Sequence, residues 1–480
     1  MLAAVVLTGV AGARSPGRTA AAWSGARSSG PAAMTQIGAP VGAGPEPIGS
    51  PGGAYEPQRI VVKYASTSAP AARASRTPAT PASEPSEGAS TTRLLHLAPG
   101  VSLDTTLAKL RRERNVVWAV PDYVAHAAAV SIPNDPGTGR APGDWQQQQW
   151  NFDGPPAFGI DAPRAWANVA ADGAPGGAKV VVAVLDTGVA YANRGPYRRS
   201  PDFSRYSFVQ GYDFIARTPY ANDHNGHGTF VAGTIAEATN NRFGLTGLAY
   251  AARIMPVRVL DGAGEGDASV IAEGVRFAVR HGARVINLSL EFSSDVSASD
   301  IPELIEALRY ANSRGVVVVA AAGNEASTTI PYPARAPHVI AVGATTEHGC
   351  LASFSNDGPG ITLVAPGGGP DANLPGDPDC NPELPSGRDI FQMTFTGSSP
   401  RVFGFPQGYE GTSMATPHVA ATAALIIAAG ILGRKPTPAQ ITARLKATAR
   451  KLGGPQDQAL YGAGLLDAGT ATARGGPGTR

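Results

Sequence analysis

The sequence predicts an α/β fold, a doubly wound, mostly parallel sheet with helices on both faces, preceded by a small α+β module. Three observations point there. From about residue 150, strand-like apolar runs recur: KVVVAVLDTG, RIMPVRVL, ARVINLSL, VVVVAAAGN, VIAVGAT and ITLVAPG. They are apolar throughout rather than at every second residue, as in strands covered on both faces. Helical patterns fall between them, which favours parallel crossovers. The run at 411–430, GTSMATPHVAATAALIIAAG, is apolar almost all round, so a helix there must lie inside a large core.

In chain order, residues 1–13 (MLAAVVLTGVAGA) have the apolar centre and small-residue end of a secretory signal, with no basic residue ahead of them. The protein is therefore expected to be secreted. Residues 14–57 are low in complexity and read as disordered. A module follows at 58–128. It begins with the strand RIVVKY, continues through a Pro/Ser/Thr/Ala insertion at 65–90, and resumes with the strand RLLHL. SLDTTLAKLRRE reads as a helix capped by Ser102. VVWAVPDYVAH reads as strands broken at Pro121. Residues 129–148 read as a linker, 149–470 as the large domain and 471–480 as a frayed tail. Helices are expected at 225–238, 268–281, 301–313 and 438–450, with a Gly/Pro-rich excursion at 368–408. Pro417 is placed near a helix start, where the first N–H groups have no partner to lose.

Charge excludes some partners. The chain has 39 Lys+Arg and 37 Asp+Glu, a balance that gives no field for nucleic acid. Residues 1–128 hold 12 basic and 7 acidic residues and the remainder 27 and 30, so a basic front precedes a mildly acidic body. The apolar runs at 1–13 and 419–429 are too short for a stable membrane span. A monomer is expected. Cys350 and Cys380 are the only cysteines, and in a secreted protein they read as one disulfide.

Ligands of such sheets bind beyond the carboxyl ends of the strands, and polar residues stand there. KVVVAVLDTG delivers Asp186 into a turn, where aspartate also serves purely structural Asx-turns. DHNGHGTFVAGT sets His227 between two glycines, with His224 as a rival. VVVVAAAGN ends in Asn324, an amide able to donate to an oxyanion or simply to form a turn. Ser413 heads the buried helix, where free N–H groups favour negative charge; it reads as a nucleophile or as a plain N-cap.

Together, AVLDTGV, NGHGTFVAGT, AAAGNEA and GTSMATPHVA, in that order, resemble the subtilisin-like serine proteases over about residues 149–468. The resemblance implies a serine endopeptidase acting on polypeptides, with Ser413 as nucleophile, His227 as base, Asp186 as its orienting acid and Asn324 as oxyanion donor. It implies that an extended substrate pairs with Gly264, Glu265 and Gly266 on one side and Ser289, Leu290 and Glu291 on the other. Glu291 departs from the family's usual glycine. It implies a calcium site with Asp202 and Asn241 as side-chain ligands. The front module resembles the family's inhibitory propeptide, the protein's own intramolecular inhibitor, removed by a cut between about Ala125 and Trp145. Glu265, Asp267, Glu291 and Glu410 would surround the cleft as rim charges and favour basic residues in the substrate. His418 reads as a core histidine, and Phe230, where a second histidine is common, as a packing change.

Other classes fit less well. A lipase-type hydrolase needs Gly-x-Ser-x-Gly, and the serine here stands in Gly-Thr-Ser-Met-Ala. The His-Glu-x-x-His of a metalloprotease is absent. A catalytically dead binding module would lack a triad member. A protease that cuts only its own prosegment stays open.

Overall fold

The computed structural model describes residues 55–65, 79–81, 92–98, 100–123, 132–374, 380–383, 385–454 and 457–475. The signal-like segment, nearly all of 14–57 and of the insertion at 65–90, and the end of the tail lie outside the described residues. The chain divides into two compact units, with the boundary between residues 129 and 130.

The front unit is an antiparallel sheet with one helix. Its strands are β1 (Tyr55–Tyr64), β2 (Ala79–Pro81), β3 (Thr92–Leu97) and β4 (Val116–Tyr123), in the order β2-β3-β1-β4, and α1 (Leu103–Leu110) joins β3 to β4. Ile60, Val62 and Leu97 bury against Leu107 and Leu110 of α1. Ser102 caps α1 by accepting from Thr105 N at 3.3 Å. Contrary to expectation, Pro121 does not break its strand, and pairs with Ile60. β4 lies at the sheet edge, where a missing N–H leaves no ladder bond unmade.

The large unit carries a seven-stranded sheet in which every pair is parallel. Its elements, in chain order, are α2 (Ala162–Ala171), β5 (Val181–Asp186), β6 (Tyr212–Asp213), α3 (His227–Ala236), β7 (Arg253–Arg258), α4 (Ala268–Arg280), β8 (Val285–Leu288), α5 (Pro302–Ser313), β9 (Val317–Ala321), β10 (Val339–Thr345) and β11 (Leu363–Pro366). A short hairpin follows, β12 (Thr394–Phe395) with β13 (Phe403–Gly404), then α6 (Thr412–Ala429), α7 (Pro438–Thr448), α8 (Gln458–Tyr461) and α9 (Ala468–Thr472). The sheet order is β11-β10-β9-β8-β5-β7-β6. Alternate residues of one strand feed two cores. Val182 and Val184 join the α2, α3 and α6 side, while Ala183 and Leu185 join the α4 and α5 side. This is why the strands read as apolar throughout.

α6 is the spine of the first core. Among the described residues it is the one helix long and apolar enough to cross a membrane, yet 94 % of it is buried inside the protein. Pro417 proves to be its sixth residue, past the first turn, so the helix loses the bond to the Ser413 carbonyl. Ser289 Oγ fills the gap, donating to Ser413 O at 2.8 Å.

The stretch read as a linker and the Gly/Pro-rich excursion are both packed. The first joins the large unit from residue 132. Trp145 is fully buried, its Nε1 donates to Pro133 O at 3.0 Å, and Asp135 accepts from the backbone N–H groups of Asn240 and Asn241, each at 2.9 Å. The excursion at 368–408 seats its hairpin on the start of α3, where Thr394 Oγ1 donates to Gly226 O at 2.5 Å.

Cys350 and Cys380 form a disulfide across 30 residues of sequence. Closing a loop of that length stabilises by roughly 3–4 kcal/mol through the entropy of the unfolded chain. Cys380→Ser is therefore expected to lower the unfolding midpoint in calorimetry by several degrees. An unchanged midpoint would mean that the loop is already closed by its own packing.

Candidate active site

Asp186 ends β5 with its side chain fully buried, and His227 opens α3 beside it. His227 Nδ1 lies 2.7 Å from Asp186 Oδ1, which also accepts from Thr187 N at 2.7 Å. The approach is tight because residue 228 is glycine. A Cβ there would sit 2.1 Å from Gly188 O and 3.1 Å from Asp186 Cβ. The flanking glycines thus serve contact between helix and strand, and Gly226 faces Thr394 and Phe395. Burial pulls the His227 pKa down, but the Asp186 charge and hydrogen bond together outweigh this, so the net shift is upward. Nε2 has no protein partner.

Asp223 fixes the start of α3. Fully buried, it accepts from Thr187 Oγ1, the N–H groups of Asn225, Gly226 and Thr229, and Thr229 Oγ1, at 2.6–3.0 Å. The sequence reading passed over it. His224, the rival histidine, is engaged elsewhere, with its Nδ1 3.3 Å from the Tyr197 hydroxyl.

Ser413 is the second residue of α6, so its N–H lies in the first turn with no acceptor inside the helix. Its Oγ donates to Ser289 O at 3.2 Å. Thr412 places Asn324: Oδ1 of the amide accepts from Thr412 N at 2.8 Å and Thr412 Oγ1 at 3.0 Å, which turns Nδ2 the other way. His227, Asn324 and Ser413 line one cleft of about 820 Å³, together with Ala263, Glu410 and Met414. His418 is a core group, as expected. Its Nδ1 lies 2.9 Å from Met414 O, Asn151 Nδ2 lies 2.8 Å from its Nε2, and burial lowers its pKa to about 4, so it stays neutral. Phe230 stacks flat on Tyr409, 4.2 Å between centroids.

Of the six residues assigned to substrate pairing, Gly264, Glu265 and Gly266 follow Ala263 at the cleft. Ser289, Leu290 and Glu291 continue from β8 and are buried, with Ser289 against Ser413 and Glu291 against Asn324. Glu265 and Asp267 are exposed, as rim charges should be. Glu291 is not one of them. It is only 6 % exposed and accepts from Asn324 Nδ2 at 3.3 Å, because the chain turns its side chain inward behind the amide.

Asp202 and Asn241, the expected metal ligands, are in contact, with Asn241 Nδ2 donating to Asp202 Oδ1 at 2.7 Å. Two further acids that the sequence reading missed stand near them. Asp135 holds the Asn240–Asn241 turn, and Glu237 is fully buried with neither carboxyl oxygen partnered. Burial and the mutual charges of this group push Asp202 up to about 7 and Glu237 well above its usual range. Among the described residues no three His, Cys, Asp or Glu side chains already converge as a ligand cluster. Any ion here would rely on a mixed set of carboxylates, the Asn241 amide and loop carbonyls.

A parallel α/β sheet that brings an aspartate-paired histidine and a helix-head serine to one cleft defines the class of serine hydrolases. Comparison with known proteins narrows this. The sequence profile described as Subtilase family matches residues 177–464. Over 300 residues the chain is 40 % identical to Subtilisin Savinase of Lederbergia lenta, covering 62 % of this chain and 91 % of that protein. It is equally similar to an alkaline protease of Shouchella clausii, of which it covers 65 %. A solved structure from Pseudoalteromonas arctica, titled as proteases of that organism, superposes with a TM-score of 0.56 at 31 % identity, over 71 % of this chain and 99 % of that one. The chain belongs to the subtilase family, and it is a serine endopeptidase.

The contact at residue 228 can be tested directly. Gly228→Ala is expected to push α3 off the end of β5 and lower kcat by tenfold or more, on the order of 1.4 kcal/mol or above, with KM little changed. A variant with wild-type kcat would show that the helix yields without disturbing His227.

Proposed function

We propose that the protein is a secreted endopeptidase of broad specificity, made as a zymogen that its front module inhibits until that module is cut away. One observation carries the catalytic part of this reading: the 2.7 Å Asp186–His227 contact, with Nε2 left open in the cleft that Ser413 lines. Ser413 Oγ leaves Ser289 O by a change of χ1 rotamer and attacks the peptide carbonyl. His227 Nε2 takes its proton and returns it to the leaving amine, while Asp186 holds the ring and stabilises its charged form. Asn324 Nδ2 and the Ser413 N–H receive the oxyanion. Loss of one such side-chain donor typically costs ~3–4 kcal/mol of transition-state stabilisation. Pairing of substrate backbone with Gly264, Glu265 and Gly266, and with Ser289, Leu290 and Glu291, gives affinity with little side-chain selectivity. Breadth follows from that.

The zymogen reading rests on the resemblance of the front module to an inhibitory propeptide and on a compact unit of its own before residue 130. Because 132–148 is packed into the large unit, the cut belongs upstream of Pro133. Secretion rests on the signal-like residues 1–13.

A structural calcium ion fits at Asp202 and Asn241, joined by Asp135 and Glu237. The support is the Glu237 carboxyl, buried with no partner among two neighbouring acids. A bound divalent cation would supply the positive charge that these groups lack and tie residues 132–148 to the loop after α3.

Two experiments test these readings. Wild-type protein is expected to lose its front module, hydrolyse casein and react with a serine-directed fluorophosphonate, whereas Ser413→Ala stays full length and does neither. Casein hydrolysis by purified Ser413→Ala would overturn the assignment. For calcium, a millimolar excess over a chelator should raise the unfolding midpoint of the wild type, since a ligand at 100-fold its Kd adds about 2.7 kcal/mol. Asp202→Asn should remove most of that gain, and equal midpoints with and without calcium in the wild type would contradict the site.

A further inference from the structure

The position of Glu291 gives the oxyanion amide an acidic neighbour. Asn324 Nδ2 donates to Glu291 Oε1, while Oε2 is buried and has no donor. What faces Oε2 is a second acid. A Cβ on Gly323 would lie 2.1 Å from Asn356 Nδ2, 2.3 Å from Glu291 Oε2 and 2.9 Å from Glu325 Oε2, so the two carboxyls converge over that glycine beside the Asn356 amide. Glu325 is held in place, because Asn356 Nδ2 donates to its Oε2 at 2.6 Å while Asn356 Oδ1 accepts from Glu325 N at 3.0 Å and Ser327 N at 2.9 Å. A buried carboxyl oxygen that receives no hydrogen bond, faces another carboxyl and stands beside an amide already donating to that second acid favours a proton between the acids.

We infer that Glu291 works as a protonated positioning residue, bridging Asn324 and Glu325, and that its ionisation disables the oxyanion donor. This rests on the reading of Asn324 given above. While Glu291 is neutral, its Oε2–H donates to Glu325 and its Oε1 is a weak acceptor, so the Asn324 amide can turn a hydrogen to the substrate oxygen. Once the proton leaves to solvent, a carboxylate competes for Asn324 Nδ2 and sets a negative charge beside the site where the oxyanion grows. Burial, then the charge of Glu325 and the hydrogen bond to it, push Glu291 up to about 8 against the pull of Asn324. The ionisable group facing Glu291 is Glu325, from the segment after β9; Asn324 and Asn356 are neutral. Protonated below about 8 and ionised above it, Glu291 sets an alkaline limit on turnover.

The test is the pH profile of kcat between pH 6 and 10.5, on a peptide without ionisable residues near the cut, normalised by fluorophosphonate titration. Circular dichroism at each pH confirms that the protein stays folded. The wild type is expected to lose about tenfold or more in kcat between pH 7 and 10, up to the roughly hundredfold or greater loss seen when one oxyanion donor is removed outright. Glu291→Gln keeps an acceptor and a donor but cannot ionise, so its kcat should stay level above pH 8. Glu325→Gln removes the like charge and should move the fall to lower pH. A Glu291→Gln profile with the same alkaline fall as the wild type, or no shift in Glu325→Gln, overturns the inference. Asn324→Ala separates the two readings: unchanged kcat sinks the oxyanion role and this proposal with it. A drop in Asn324→Ala beside an unaltered fall in Glu291→Gln sinks this proposal alone.

Discussion

The cleft depends on one hydrogen bond, between His227 Nδ1 and Asp186 Oδ1. The aspartate arrives on a central strand and the histidine on a helix that reaches it only if two backbones nearly touch. Gly228 permits that approach, and Asp223 secures it by gathering five hydrogen bonds around the helix start. Thr187 joins both, donating through Oγ1 to Asp223 and accepting there from Gly228 N at 3.0 Å. The base is thus held by rigid elements, which is where positional accuracy of a few tenths of an ångström is obtainable.

The nucleophile side has its own frame. α6 is buried almost all round, so Ser413 cannot drift without moving the core. Pro417 leaves the Ser413 carbonyl without its helical partner, and Ser289 responds with two contacts, one to that carbonyl and one from the Ser413 hydroxyl. Thr412, one residue earlier, accepts from Gly323 N and donates to Asn324 through the same hydroxyl. A single turn of helix therefore sets both Ser413 and the Asn324 amide.

Much of this was legible in the sequence. Asp186, Asn324 and Ser413 stand at the ends of apolar runs or the head of an apolar helix, and His227 lies between glycines. Such patterns survive translation into structure because burial enforces them. The misses share a cause. Residues 132–148 look like a linker by composition, but Trp145 and Asp135 act through single long-range contacts, and composition averages those away. Pro121 was read as a strand break because its place at a sheet edge depends on pairing order, which local sequence does not encode. Glu291 was read as a rim charge since a carboxylate is normally solvated. Its place behind Asn324, against a second acid, is set by long-range packing.

That last error points to a wider regularity of this protein, its buried carboxyls and how each is compensated. Asp186 has a histidine, Asp223 has five neutral donors and Asp213 has Arg258 at 2.9 Å. Each is matched by groups already in the fold, so each can be a fixed part of the scaffold. Asp186 too has an unpartnered Oδ2, but the histidine and the Thr187 N–H meet its Oδ1. Glu237 has no donor on either oxygen, and Glu291 has only a neutral amide on Oε1 while its Oε2 faces an acid. A buried carboxyl left in that state must take up a proton or a cation, since an uncompensated charge there costs several kcal/mol. At Glu237 two further acids crowd the group, which is the ground for the calcium proposed there. At Glu291 one acid faces it beside a neutral amide, and a single proton suffices. The calcium proposed at Glu237 and the proton proposed at Glu291 thus differ in the number of neighbouring acids rather than in burial alone.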